Sequence, residues 1–382
     1  MDNISEEELM LAEDAITNKI LGTYNIGLDK LALDFTNYFT YISTNNEKNN
    51  LAKRGRNKQK RYDLKQCSLA IVTSKEAGIP LYSHVYEGNK NDQTEFSQYL
   101  PILEKRMPNY NPEEITLIFD GGSVTKKNLK ALKTHYICSF SLAYCKELYS
   151  IDITKYSGLK INNRTVLCYR TRRNICDKER TCILTFSQKL FDGQVRELNE
   201  NIAKALNDLE ELNSKINNSK SRIDKSEKGL NSKLGEILKH KHVSDIISAQ
   251  ITENKIIYEL NNTEKLNIMK RYFGKKLTIT DRDDWSTTEI LKTYYEQDCI
   301  EKIFRDTKNV EHFSLRPIFH WTEQKIRVHI FITLLGLTIS SALQKELLNS
   351  RINISKTKML EELSKIRVEE MDKFLSDLWV AV

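Results

Sequence analysis

The chain has 382 residues, of which 40% are hydrophobic and 29% charged, with only 13 glycines and 5 prolines. Such a composition supplies a packed core and excludes a globally disordered, collagen-like or low-complexity chain, while the length fits two or three domains, or one domain with a large insertion. Lys plus Arg (59) exceeds Asp plus Glu (52) for a net charge of +7, a modest excess that permits an anionic partner without demanding one.

Residues 1–25 read as helical and acidic, and Glu6, Glu7, Glu8 and Asp14 speak against a secretory leader. Leu28 to Ile42 is rich in aromatic and β-branched residues after Leu33 and reads as a strand that contains Asp34. Asn45 to Lys65 is polar and reads as a mobile basic loop, with Lys53, Arg54, Arg56, Lys58, Lys60, Arg61 and Lys65 against the single acid Asp63. Ser68–Thr73 and Leu81–Tyr86, joined by the Gly- and Pro-containing SKEAGIP, predict a hairpin. Phe96, Tyr99, Leu100 and Leu103 give Asp92–Arg106 a helical period.

Ile115–Phe119 is a short continuous apolar run, the mark of a strand covered on both faces, and it ends at Asp120-Gly121-Gly122. A short helix over Lys126–Thr134 and a strand over Tyr136–Leu142 follow, which describes an α/β or α+β layer fold. From about residue 146 the pattern changes. Lys160–Arg170 and Thr181–Ser187 read as strands, and then Val195, Ile202, Leu209, Ile216, Ile223, Leu230 and Ile237 recur at heptad spacing. This predicts a long helical pair or coiled coil over about 190–240, with Asn217-Asn218-Ser219 able to host a bend. Lys255–Leu260 and Lys276–Thr280 return to strand character, and Ser286-x-x-Glu289 is a capping box for a helix reaching about Lys308. The longest apolar run, Val328–Leu343, is shorter than the ~20 residues that span a bilayer, contains polar side chains, and reads as a buried core helix. His329 within it reads as a satisfied core histidine. The seven cysteines show no CxxC spacing, so free thiols in a reducing, cytoplasmic setting are expected.

Three carboxylates stand out. Asp34 lies between Leu33 and Phe35, where a charged group either faces solvent or is paired or metal-bound. Asp120 ends a buried strand, where it either starts a turn or stands at the sheet rim that α/β folds use for their sites. On the 286–308 helix, Tyr294, Gln297, Glu301 and Lys308 share one face, which is a solvated surface or a site. Three acids on two strands and a helix can together cage two Mg²⁺ ions, with Mn²⁺ as a substitute.

The order Asp34, Asp120, Glu301, with Tyr294 and Lys308 around the glutamate, resembles the DDE transposases of bacterial insertion sequences. The closer resemblance is to the group whose signature is Tyr, two residues, Arg, three residues, Glu, six residues, Lys; Tyr294, Glu301 and Lys308 match that spacing. Further segments look like the same group: Asp63–Gln66 (DLKQ), Gly88–Asp92 (GNKND), Phe119–Gly122 (FDGG) and Leu315–Trp321 (LRPIFHW). The resemblance covers roughly 30–143 and 275–345. It implies an α/β, ribonuclease H-like mixed-sheet core in two parts, 1–145 and 286–382, interrupted by an insertion domain over 146–285 with strands and the coiled coil. It also implies two-metal cleavage and strand transfer on double-stranded DNA (transposon ends and target) by a homodimer near the nucleoid, without a membrane. By that resemblance Asp34, Asp120 and Glu301 are the catalytic metal ligands, and Tyr294 and Lys308 contact backbone phosphate near the cut. Gln297, the basic loop and Trp321 would add DNA contacts, Trp321 as a stacking aromatic or a packing residue.

The sequence departs from the pattern twice. Gln297 replaces the signature arginine and loses its charge and bidentate fork. Only 33 residues precede Asp34, so a truncated copy without the end-recognition region is expected. The alternatives are an inactive remnant that binds DNA and a coiled-coil interaction protein whose acids are ordinary surface groups.

Overall fold

The computed structural model describes residues 3–57, 61–75, 78–218, 220–252, 255–309 and 311–366. The chain divides into two compact units, one formed by residues 1–139 and 280–382, the other by 140–279.

The first unit opens with α1 (Glu6–Tyr24). Ser5 and Glu8 form the capping box that starts it, and Asn25, at φ 48°, ends it in the left-handed conformation that asparagine tolerates. Strands β1 (Lys30–Thr40), β2 (Lys65–Ser74) and β3 (Pro80–Glu87) pair antiparallel, from Thr40↔Lys65 to Leu31↔Ser74 between the first two. Of the connection between β2 and β3, Glu76 and Ala77 lie outside the described residues. Helix α2 (Asp92–Arg106) is capped by Asn91 and buries the anticipated stripe of Phe96, Tyr99, Leu100 and Leu103. After it, β4 (Thr116–Phe119) pairs parallel with β1 on the side away from β2, and α3 (Lys126–Ala131) leads to β5 (His135–Phe140), parallel to β4. The order is β3-β2-β1-β4-β5, a mixed α/β sheet core.

The second unit begins with the short α4 (Lys146–Tyr149) and a meander of β6 (Ser157–Ile161), β7 (Arg164–Ile175) and β8 (Lys178–Phe186). The stretch Lys160–Arg170, expected as one strand, is a hairpin. Asn162 and Asn163 both take positive φ (45° and 62°), which makes a two-residue turn whose twist suits paired strands. Cys176 and Asp177 repeat the device between β7 and β8.

The heptad stretch forms α5 (Gln188–Asn217) and α6 (Glu227–Leu238). The chain leaves the helix at the anticipated asparagines, where Lys225 Nζ caps the carbonyls of Ile216 and Asn218 at 2.7 and 3.1 Å; Ser219 lies outside the described residues. The apolar stripe is buried inside this unit. Leu198, Ile202, Leu209, Ile216, Leu230 and Leu234 form one cluster with α7 (Val243–Ile246), the hairpin β9 (Ile247–Thr252) and β10 (Lys255–Leu260), and α8 (Asn262–Tyr272). A stripe consumed in this way is a domain core, not a zipper offered to a partner. The closing strand is β11 (Lys275–Thr280), beside β8.

The chain then returns to the first unit through α9 (Thr287–Tyr295) and α10 (Asp298–Asp306), where one helix was expected from Ser286 to about Lys308. Ser286 caps α9 as anticipated, its hydroxyl accepting from the Glu289 N–H. Around 296–300 the backbone tightens: the N–H groups of Gln297, Cys299 and Ile300 bond to the carbonyls of Tyr294, Glu296 and Gln297, three residues back. The stretch expected as one helix is therefore two, with Tyr294 at the end of α9, Glu301 in α10 and Lys308 just beyond it. Lys75 fixes the break through an ion pair with Glu296 and a 3.3 Å bond to Thr293.

Helix α11 (Glu323–Asn349) runs longer than the apolar stretch that announced it, and is long and apolar enough to cross a membrane. Half of its apolar window is buried, and Ile326, Ile330, Leu334 and Leu337 join Tyr38, Leu69, Ile71 and Ile300 in the core. Arg327 anchors it to Glu6 and to the Val85 carbonyl. His329 is half-buried and packs edge-on against His320; its ring is hydrogen-bonded to the Ser314 backbone, while Nδ1 has no partner among the described residues, so the expected satisfied histidine is met at one nitrogen. The short α12 (Lys356–Leu363) closes the described chain. All seven cysteines are free, and five are buried.

Candidate carboxylate site

Strand register brings the two aspartates together. In the parallel pair, Lys30, Leu31, Ala32 and Leu33 of β1 match Thr116, Leu117, Ile118 and Phe119 of β4. The next residues on the two strands are Asp34 and Asp120. Neighbouring strands lie about 4.8 Å apart and side chains alternate, so both carboxylates leave the same face of the sheet. That face of β1 continues through Thr36 and Tyr38.

Each carboxylate is held locally. Asp34 Oδ1 accepts the Phe35 N–H at 2.8 Å. Asp120 Oδ1 accepts the Ser139 hydroxyl at 2.6 Å, and the Ser139 oxygen accepts the Gly121 N–H at 2.7 Å. A Cβ on Gly121 would stand 2.9 Å from Ser139 Oγ and 3.1 Å from its carbonyl, so the FDGG segment needs this glycine to lie against β5. Tyr294 hydrogen-bonds the same serine, and burial together with the nearby Asp120 charge pushes its phenol up to about 12. The phenol is therefore protonated at neutral pH. Ser139 links the second aspartate to the signature tyrosine; nothing in its spacing marked it in the sequence.

Helix α10 runs along the same face. At its start Cys299 Sγ meets Thr73 Oγ1 at 3.5 Å, and Thr73 is the register partner of Ala32. At its end Thr307 Oγ1 bonds the Tyr38 hydroxyl at 2.6 Å, and Lys308 Nζ donates to Thr36 Oγ1 at 2.6 Å. Between these levels lies Asp34, and Glu301 occupies the matching stretch of the helix. Glu301 is exposed, Asp120 is exposed and Asp34 is half-buried. Among the described residues no group of three His, Cys, Asp or Glu side chains is gathered closely enough to hold a metal ion. The structure thus pairs two aspartates by register and sets the glutamate on a neighbouring helix, without a preassembled three-carboxylate cage.

The remaining candidates lie elsewhere on the first unit. Gln297, half-buried, sits in the tightened turn between α9 and α10. The basic loop is irregular as expected, but its base is packed rather than loose. Leu51 and Ala52 are buried, both N–H groups bond Asn49 Oδ1, and Lys53 and Gln66 exchange two backbone hydrogen bonds. Gln66, from the DLKQ segment, donates to the Gly88 carbonyl at 2.7 Å, and a Cβ on Gly88 would meet the Gln66 carbonyl at 1.8 Å. Those two motif segments are therefore architectural. Arg54, Arg56 and Arg61 are exposed, Arg61 paired with Asp63; Lys58 and Lys60 lie outside the described residues. Lys53 and Gln66, at the loop base, lie near the Phe39–Thr40 level of β1, about 20 Å along the strand from Asp34. Trp321 is 75% exposed, which disfavours the packing alternative, and among the described residues its carbonyl is engaged by Asn46 and Asn49. Phe319 nearby is stacked on Tyr41 at 6.0 Å, and both rings are exposed.

No protein-family model matches the chain, and no curated protein matches it. Among solved structures, one similar chain is a piggyBac transposase, described as a synaptic complex with hairpin DNA, at 8% identity and a TM-score of 0.38. The match covers 88% of this chain and 52% of that one, so this chain spans about half the length of that protein.

Proposed function

We propose that the first unit is a ribonuclease H-like core of the DDE transposase type, which cleaves and joins DNA strands with two divalent cations. The observation that carries this reading is the register that places Asp34 and Asp120 side by side on parallel strands, with the Glu301 helix along the same face. The donor set fits Mg²⁺ or Mn²⁺: carboxylate oxygens are hard ligands, and the paired strands bring two carboxylates to neighbouring positions. Asp34 and Asp120 would hold the cations, with Glu301 completing the set when α10 or its side chain adjusts. Bound cations would supply an activated water or hydroxyl and neutralise the leaving oxygen.

This chain's own residues position the rest. Ser139 orients Asp120, and the protonated Tyr294 beside it offers a hydroxyl to a phosphate oxygen. Lys308, steered by Thr36, places a point charge at the same face. The exposed arginines of the loop and the Tyr41, Phe319 and Trp321 rings would contact DNA farther along β1. Action as a homodimer in the cytoplasm near the nucleoid belongs to the same proposal. A second reading, a DNA-binding remnant without catalysis, is favoured by Gln297 in place of the signature arginine.

The test is nicking of supercoiled plasmid in Mg²⁺ or Mn²⁺. Chelation, and each of Asp34→Asn, Asp120→Asn and Glu301→Gln, should reduce nicking to background while the variants still shift DNA in gels. Nicking that survives all three substitutions sinks the catalytic reading, and wild-type binding without nicking selects the remnant.

A further inference from the structure

Helix α10 also borders a cavity of about 780 Å³, which shares Cys299 and Lys308 with the face that carries the carboxylates. Its walls come from α10, the segment after it, α11 and the start of α12. Six cationic side chains line it: Lys302, Arg305, Lys308, Arg316, Lys345 and Lys356. Asp306 is the single carboxylate among the described lining residues, and it is paired with Lys356 at 2.9 Å. Lys356 also bonds Ser341 Oγ at 3.1 Å, which pins the start of α12 to α11. Arg316 holds the Lys308 carbonyl at 3.3 Å.

Like charges gathered around one concavity repel one another, and low-dielectric walls concentrate their field, so such a space favours an anion. The volume lies within the range of ligand sites and exceeds what a halide or a single phosphate fills. Asn309, Gln344, Ser341, Ser355 and Thr357 add neutral hydrogen-bonding groups, and Ile303 and Leu348 add apolar wall. A ligand with several phosphates spaced by sugar or base matches this mixture. Lys302 is also the residue after Glu301, so the cavity begins one residue along α10 from the third carboxylate of the proposed site.

We propose that this cavity is a phosphate-binding site for nucleotide chemistry, occupied by the backbone of a nucleic acid strand. The identity of the occupant rests on the reading of the first unit as a DNA enzyme; the affinity for phosphates does not. A free nucleotide shares the same chemistry, and the experiment separates the two sources.

Lys302 is exposed and Lys345 half-exposed, so the Lys302→Ala/Lys345→Ala double variant is expected to fold, which its melting temperature checks. Binding of a duplex oligonucleotide is measured across salt concentrations. Each lost phosphate contact lowers the slope of log K against log salt by about 0.9, so the double variant should lose about 1.8. A second readout needs no substitution. Cys299 lines the cavity and is half-buried, and Cys176, in the other unit, serves as an internal control for maleimide alkylation followed by mass spectrometry. Protection of Cys299 by the oligonucleotide alone supports the strand backbone as occupant. Protection by ADP or inorganic pyrophosphate as well supports the phosphate site but assigns it to a free nucleotide. An unchanged slope in the double variant, with Cys299 unprotected by every probe, overturns the proposal. That result leaves plasmid nicking and its loss in Asp34→Asn untouched, so the two readings fail separately.

Discussion

The aspartates and the glutamate of the proposed site are held in different ways. Asp34 and Asp120 are fixed by hydrogen-bonded strand register, and Asp120 is tied further through Ser139 to β5. Glu301 sits on a nine-residue helix that begins at a tightened turn and meets the sheet through side chains, Cys299 on Thr73 of β2, and, just past the helix end, Thr307 and Lys308 on Tyr38 and Thr36 of β1. A ladder of backbone bonds fixes the aspartates, whereas the helix is held by side-chain packing, with Ile300, Ile303 and Phe304 in the core. In the proposed site the strands would supply two ligands fixed by register, and the helix would supply the third, held by side-chain packing.

Substitutions can break this contrast. Gly121→Ala attacks the rigid side, because the new methyl would stand 2.9 Å from Ser139 Oγ and force Asp120 away from β5. A misplacement of this kind costs about 100-fold in rate; nicking within threefold of wild type would show that the strand pair is not rigid after all. Thr36→Val attacks the helix side by removing the acceptor that steers Lys308. One lost hydrogen bond costs about 1 kcal/mol, or roughly a fivefold to tenfold fall in nicking if Lys308 touches phosphate. A fall as large as that of Gly121→Ala would erase the distinction.

Tyr294→Phe gives the smallest effect at neutral pH and an informative one above it. The folded phenol titrates at about 12, above its ordinary value near 10. A raised pKa contributes stability that is complete below pH ~10 and is lost as pH rises towards 12, since the unfolded chain releases its proton first. Urea midpoints of wild type and variant should converge over that window. Parallel midpoints would mean that Tyr294 is not buried beside Asp120.

Much of the first unit was legible because its signals are local. The Phe96-to-Leu103 stripe, the Ser286 cap and the uninterrupted ITLIF run each report a period or a cap that needs no distant partner. Asp34 and Asp120 were legible as candidates, but their adjacency was not, since it depends on a parallel pairing between strands about 80 residues apart. The α9–α10 break was missed because the residues around 296 have no Gly or Pro; the turn is set by Lys75, far away in sequence. The hairpin inside Lys160–Arg170 was missed although Asn162-Asn163 is itself a turn signal, because flanking β-branched residues read as one run. The heptads read as a helical pair or a coiled coil; that they form two helices packed on the β9–β10 hairpin follows from tertiary contacts that no period encodes.

The closed base of the basic loop has one more consequence. Lys53 and Gln66 bond each other's backbones, so the cationic segment between them is a ring whose ends are already joined. The entropy of closing such a ring grows only with the logarithm of its length and is met when the chain folds, not when a partner arrives. A polyanion that engages Arg54, Arg56 or Arg61 would meet a segment already tied near its base, where Gln66 Nε2 donates to the Arg56 carbonyl and Asn57 Oδ1 accepts the Arg61 N–H. Were the proposed DNA contact made, the ring would present Arg54, Arg56 and Arg61 as a tethered group of cations, held at a high local concentration at one end of β1.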